Sequence, residues 1–255
     1  MYIENIDPVI FSIGPIAIRW YGLMFAISVL IGFYYLRKNG IKKGFDEDFL
    51  FVLLIIIMAA IIIGARAVFV AANWSYFMDR PELIYRVDRG GLAFHGGLLG
   101  GILSSWLYCR IKNKNWRSLA DLSVPGVALG YSLVRIANIF NQEILGREAS
   151  MFAFERHPAQ IYGFLIGITL LFLHNFLARR GEPKPGQLFW SFVLGYTLLR
   201  GLIEETFRDN PLVAWGYISE TWGAGFFTTV QLFTPFIILL CLYMLWKIET
   251  GRSLL

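Results

Sequence analysis

The chain has 255 residues, of which 56 % are hydrophobic and 22 are Phe, with a formal net charge of +5. That apolar share lies above what ordinary soluble domains carry, and long apolar stretches recur along the chain, which excludes a water-soluble globular fold. The intervening loops are too short to hold a soluble domain, and the positive charge needs no nucleic-acid partner because basic loops facing an anionic leaflet account for it.

The expected class is all-α: a polytopic integral membrane protein forming one domain over 1–255. A helix needs about 20 mostly apolar residues to cross a bilayer. Seven stretches qualify in chain order: 15–36, 49–72, 94–109, 119–140, 160–177, 187–207 and 226–246. The first lacks a basic region before it and a small-residue cleavage site after it, so it reads as a retained helix and not a signal peptide. Basic residues then set the orientation. Arg37, Lys38, Lys42, Lys43, Arg110, Lys112, Lys114, Arg117, Arg179, Arg180, Lys184, Lys247 and Arg252 fall on one side, which holds every Lys. The other side has Arg80, Arg86, Arg89, Arg147, Arg156 and Arg208. The positive-inside rule predicts seven transmembrane helices with the N-terminus outside and the C-terminus in the cytoplasm.

Four arginines remain inside the apolar stretches: Arg19, Arg66, Arg135 and Arg200. Three acids are embedded with them, Glu143, Glu204 and Glu205. A charge at the bilayer centre costs at least about 2.5–3.5 kcal/mol on insertion scales, so such residues face a partner or a polar cavity. With the orientation above, all four arginines belong to the outer half of the membrane, which predicts a polar chamber toward the outer leaflet. Helical spacing puts Arg135, Asn138 and Gln142 on one stripe with Glu143 beside it, and Tyr196, Arg200, Glu204 and Arg208 on another. The plain reading of the second stripe is interhelical glue, with Glu204 neutralising Arg200. Partly neutralised arginines also suit an anion, because the guanidinium fork matches phosphate or carboxylate.

The stretch GGLAFHGGLLGG (90–101) carries two small-xxx-small pairs, which favour close helix packing. His95 shares the outer depth of the arginines and is a candidate general base or phosphate contact. His174 reads as an interfacial side chain, and His157 as a cap or anchor before the fifth span. Cys109 and Cys241 read as small buried hydrophobes, and the three His show no metal-ligand spacing.

Five stretches together, RWYGLMFA (19–26), GGLAFHGGLLGG (90–101), RIANIFNQEILGR (135–147), RHPAQIYG (156–163) and YTLLRGLIEETFR (196–208), resemble the prolipoprotein diacylglyceryl transferase family. Arg135, Asn138, Asn141, Glu143 and Gly146 match the family signature. Ala137 stands where a glycine is usual, Ile139-Phe140 departs from the usual aromatic-first order, and Gly163 follows HPAQIY where a glutamate is expected. The resemblance implies transfer of the diacylglyceryl group of phosphatidylglycerol to the lipobox cysteine thiol of a preprolipoprotein signal peptide. A thioether forms and glycerol 1-phosphate leaves. It also implies a bacterial cytoplasmic membrane setting among membrane lipids, the same seven-helix topology, and no metal or soluble cofactor. In that scheme His95, Arg135 and Arg200 are catalytic. Tyr21, Asn138, Asn141, Glu143, Gly146, Tyr196, Glu204 and Arg208 bind substrate. The alternative is a transporter of a small organic anion with the same arginines lining a path, although no repeat of the kind transporters carry is visible.

Overall fold

The computed structural model describes residues 7–14, 16–87, 90–151 and 155–251. Arg89 and Arg252, used above for orientation, and residue 15, where the first span was expected to begin, lie outside them. The described chain is mostly helical, with two short antiparallel hairpins that an all-α reading did not anticipate. In order these are β1 (Val9–Ile13), β2 (Ile16–Arg19), α1 (Trp20–Lys42), α2 (Glu47–Ala72), α3 (Trp74–Met78), a 3-10 turn (Pro81–Leu83), α4 (Phe94–Ile111) and α5 (Trp116–Phe140). There follow α6 (Ala159–Arg179), α7 (Gln187–Leu198), a π-helical turn (Leu199–Glu204), α8 (Glu205–Phe207), β3 (Leu212–Ser219), β4 (Ala224–Thr228) and α9 (Thr229–Glu249). Five helices, α1, α2, α5, α6 and α9, are long and apolar enough to cross a membrane, so the protein is a polytopic membrane protein. The β1–β2 hairpin occupies residues expected to open the first span and delays its helix to Trp20.

The chain divides into two compact units. One, Leu36–Leu119, is built on the contact of α2 with α4. Here the backbones touch: a Cβ on Gly96 would lie 2.2 Å from the Gly64 carbonyl oxygen, and one on Gly100 would lie 2.2 Å from that of Ala60. Helices that cross a bilayer gain little from hiding apolar side chains from lipid, so close approach through small residues supplies the attraction. Arg66 behaves differently from its sequence reading. Its guanidinium donates to the carbonyls of Leu83, Ile84, Gly90 and Gly91 and lies over the rings of Phe69 and Phe77. These bonds tie it to the segment that precedes α4. At the other end of this unit Lys114 pairs with Asp46 at 2.6 Å and holds that carboxyl below its ordinary value, chiefly through the hydrogen bond.

The other unit comprises Met1–Tyr35 and Ala120–Leu255. Helices α1 and α5 cross at Gly32 and Gly126, where an added Cβ would meet the opposite Cα at 3.0–3.1 Å. The N-terminus of α7 has a capping carboxylate from a distant helix: Asp121 accepts from the backbone N–H of Gly186 and of Phe189, each at 2.7 Å. That pairing satisfies orphan donors and sets negative charge at the positive end of the helix dipole. Thr228 and Gln231 form a reciprocal capping box that starts α9 at Thr229. Arg19, expected within the first helix, instead closes β2 and is exposed. Of the four arginines in the apolar stretches, Arg19 thus stands outside the helix and Arg66 has backbone carbonyl partners.

Substituting Gly96→Ala forces the α2–α4 backbones apart and is expected to cost about 1–3 kcal/mol, as overpacking of a tight contact does. Thermal unfolding in detergent checks this, and an unchanged midpoint contradicts the close-contact account.

Candidate active site

Helix α5 sends three polar side chains along one stripe at i, i+4 and i+7: Tyr131, Arg135 and Asn138. The stripe ends there because the helix stops at Phe140. Gln142 and Ile144 take positive φ, and the Gln142 side chain turns back to donate to the Ile139 carbonyl at 3.1 Å. Gln142 therefore leaves the stripe predicted for it. Glu143 returns to it: its backbone N–H donates to the Asn138 carbonyl, and its carboxylate accepts from Asn138 Nδ2 at 2.8 Å. Gln160 at the start of α6 fixes the same turn by donating to the Glu143 carbonyl at 2.7 Å.

Facing this stripe is the π-helical turn. An uninterrupted α-helix would put Glu204 on the stripe of Arg200 and rotate Glu205 away. The π turn changes the phase, and both carboxylates are buried, at 0 % and 1 % exposure. Such turns are rare and concentrate at functional sites. The charge of Glu204 acts on Arg200, as expected, but its direct ion pair is with another arginine. Glu204 Oε1 lies 2.7 Å from Arg135 Nη2, with both side chains nearly sealed from solvent. The Tyr131 hydroxyl donates to the other oxygen of Glu204, accepts from Arg135 Nη2 at 3.0 Å, and its ring lies under the guanidinium at 4.6 Å. Glu205 is the acid that reaches Arg200, at 3.5 Å and without hydrogen-bond geometry, while its Oε1 accepts from Asn210 Nδ2 at 2.6 Å.

The remaining expected residues of this unit gather around that core. Tyr196 meets Tyr131 edge-on, with ring centroids 5.2 Å apart, and lies within electrostatic reach of Arg200, Glu204, Arg135 and Arg208. Arg208 follows α8, pairs backbone to backbone with Gly146, and feels the charges of Arg200 and Arg135. Tyr21 feels Glu143 and Arg135, and its neighbour Trp20 stacks on Phe140 at 4.5 Å. Gly146 passes the His157 carbonyl so closely that a Cβ would stand 2.0 Å from its oxygen. His157 anchors the surrounding loops through the Tyr162 hydroxyl at 2.9 Å and the Trp222 carbonyl at 2.7 Å. His95 is exposed in the first turn of α4 and belongs to the Leu36–Leu119 unit.

Sequence reasoning missed Tyr131 and the role of Glu205. Tyr131 was within reach of the helical-spacing argument, being one turn before Arg135. The phase change that turns Glu205 inward leaves no periodic trace.

Several buried polar atoms lack a hydrogen-bond partner here: Arg135 Nε, Asn138 Oδ1 and Asn141 Oδ1. Each costs about 1–3 kcal/mol if left so, and folded proteins rarely leave them without reason. An unpaired guanidinium N–H and two unpaired amide oxygens suit a ligand that offers an anionic oxygen and hydroxyl donors. Among the described residues no group of three or more His, Cys, Asp or Glu is arranged to hold a metal ion.

The family model for prolipoprotein diacylglyceryl transferase matches residues 8–247. The phosphatidylglycerol–prolipoprotein diacylglyceryl transferase of Thermoanaerobacter sp. (strain X514) is 47 % identical over 249 residues, covering 97 % of this chain and 96 % of the relative. That of Caldanaerobacter subterraneus subsp. tengcongensis is 45 % identical with the same coverage, and that of Thermus thermophilus is 32 % identical over 95 % of this chain and 98 % of its own length. The chain belongs to the prolipoprotein diacylglyceryl transferase family.

Glu204→Ala would leave the buried Arg135 charge without its carboxylate, which for buried pairs costs about 3–5 kcal/mol. Tyr131→Phe removes hydrogen bonds to both charged groups but leaves the ion pair, for about 1.5–3 kcal/mol. Paired thermal denaturation of the two variants checks the order; an equal or smaller loss for Glu204→Ala contradicts the pairing.

Proposed function

We propose that the guanidinium cluster around the buried Arg135 holds the phosphate of phosphatidylglycerol while the lipobox cysteine of a preprolipoprotein signal peptide takes its diacylglyceryl group. The activity follows from the family, and the organic-anion transporter alternative gives way to it. One observation carries the assignment of the site: Arg135 is buried, is engaged by Glu204 and Tyr131 through a single nitrogen, and keeps Nε without an acceptor.

The cysteine sulfur attacks the glyceryl carbon that bears the phosphate. A C–S bond forms, the C–O bond breaks with its electron pair going to oxygen, and glycerol 1-phosphate departs. Negative charge grows on the phosphate along this path, so guanidinium groups already in place in a water-poor site stabilise the transition state more than the ground state. Arg135 and Arg200 fill that role, and Arg208 adds a third positive charge nearby. Arginine suits it better than lysine because its charge survives desolvation and its planar fork holds two oxygens together. Glu204 and Tyr131 fix the aim of Arg135, and Glu205 that of Arg200. Asn138 and Asn141, with free amide oxygens, accept from the glycerol hydroxyls; Glu143 fixes Asn138, and Gly146 shapes the turn that follows. Tyr21 and Tyr196 donate at the headgroup. A thiol with an ordinary pKa near 8.5 is mostly protonated at neutral pH, and by its chemistry His95 is the candidate base for that proton. No metal or soluble cofactor enters the scheme.

The seven-span, N-terminus-outside topology is part of the proposal. The one-sided distribution of lysines supports it, as do the 18 residues of α4, about 27 Å long, and the unbroken helical run from Gln187 to Phe207. The site then opens toward the outer leaflet of the bacterial cytoplasmic membrane. That the family model runs through both units supports one functional domain.

Arg135→Lys is expected to lower thioether formation about 10²-fold, measured by label passing from radiolabelled phosphatidylglycerol to a lipobox peptide. Near-full activity would mean the bidentate contact is dispensable. In the same assay His95→Asn should be slow at neutral pH and recover as pH rises past about 8.5, where the thiol ionises unaided. A flat pH profile for that variant contradicts its role as base.

A further inference from the structure

The geometry points to Gly163 as a positioning residue for Arg135: its missing side chain is the seat in which the arginine stem lies. This inference rests on the phosphate-clamp reading above and adds to it what sets the depth of the clamp. Gly163 is buried, one turn into α6, at i+3 from Gln160, whose amide holds the Glu143 turn. A Cβ built on Gly163 would stand 2.4 Å from Arg135 Nε, 2.7 Å from Cδ and 2.9 Å from Cγ. The arginine thus runs directly across the helix backbone, in the space any other residue would fill. One turn on, the same face continues. A Cβ on Gly167 would stand 2.1 Å from Ser132 Oγ and 3.1 Å from the Tyr131 ring. Arg135 and Tyr131, one turn apart on α5, lie in a groove made by two glycines one turn apart on α6.

Packing alone does not account for this seat, because the atom that occupies it is a buried N–H donor with no acceptor. A glycine inside a helix is conformationally unfavourable, and so is an unpaired buried donor. Keeping both at one contact holds the guanidinium at a fixed depth. Its Nη2 reaches Glu204 and Tyr131, while the rest of the fork is left uncommitted to protein carboxylates. The departure noted in the sequence, Gly163 in place of an expected glutamate, is therefore coupled to the placement of Arg135. Here a side chain at 163 would displace the guanidinium before it could pair with it.

Relieving a 2.4 Å approach to an ordinary contact of 3.4 Å moves the guanidinium by about 1 Å, and misplacement of that size costs about 10²-fold in rate. Gly163→Ala in the full chain is expected to lose turnover by about that factor, with KM for phosphatidylglycerol changing less than turnover. A thermal-stability cycle with Arg135→Ala accompanies it. With the stem removed, the added methyl meets no side chain of residue 135, and its effect on the unfolding midpoint should largely vanish. Turnover of Gly163→Ala within twofold of wild type overturns the inference. So does a loss of midpoint that is the same with and without the Arg135 side chain, a readout that holds even if the single variant unfolds. Failure of the clamp reading itself shows elsewhere, as full activity in Arg135→Lys.

Discussion

The structure of the site depends on one buried ion pair, Arg135 with Glu204, contributed by helices far apart in sequence and closed by the Tyr131 hydroxyl. Two charges withdrawn from water sacrifice several kcal/mol of hydration each, and their attraction repays this only when geometry is good and further hydrogen bonds are made. Tyr131 makes those bonds to both partners. Other features serve this arrangement: the π turn that aims Glu204 and Glu205 inward together, the glycine face of α6, and the turn beyond Phe140 that brings Glu143 back to Asn138. Glu204 thereby stabilises a charge in the apolar interior without covering the whole fork.

The arrangement also separates two kinds of arginine within the apolar stretches. Arg66 donates to four carbonyls, lies over two rings and ties a segment in place. Arg135 and Arg200 are held through carboxylates at one edge. A position inside an apolar stretch therefore does not make an arginine an anion-site candidate; what distinguishes these two is how few of their donors hydrogen-bond to protein groups among the described residues. In the proposed clamp a phosphodiester would meet that deficit, and the phosphomonoester it becomes would meet it better, the differential stabilisation that catalysis needs.

Much of this was legible in the amino-acid order. Apolar stretches of membrane length located the main helices, the charges within them singled out Arg135, Glu143, Arg200 and Glu204, and helical spacing added Asn138. Illegible were features where the backbone departs from a regular helix. The second strand of the first hairpin, Ile16–Arg19, is apolar enough to be absorbed into a span, so Arg19 was placed inside a helix. The π turn shifts phase by one residue, so Glu204 was assigned to the arginine on its own helix and not to the one across from it. Partners separated by 69 positions, as Arg135 and Glu204 are, follow from tertiary packing that no local pattern encodes. Arg66 was misplaced for a related reason, since carbonyl acceptors carry no residue signature.

The central claim is that the uncommitted edge of Arg135, with Arg200, receives the lipid phosphate. A structure of the full chain with phosphatidylglycerol bound tests it most directly. The account predicts phosphate oxygens within about 3 Å of guanidinium nitrogens of both Arg135 and Arg200, with Glu204 still on Arg135 Nη2. A bound lipid whose phosphate lies away from these two side chains would contradict it.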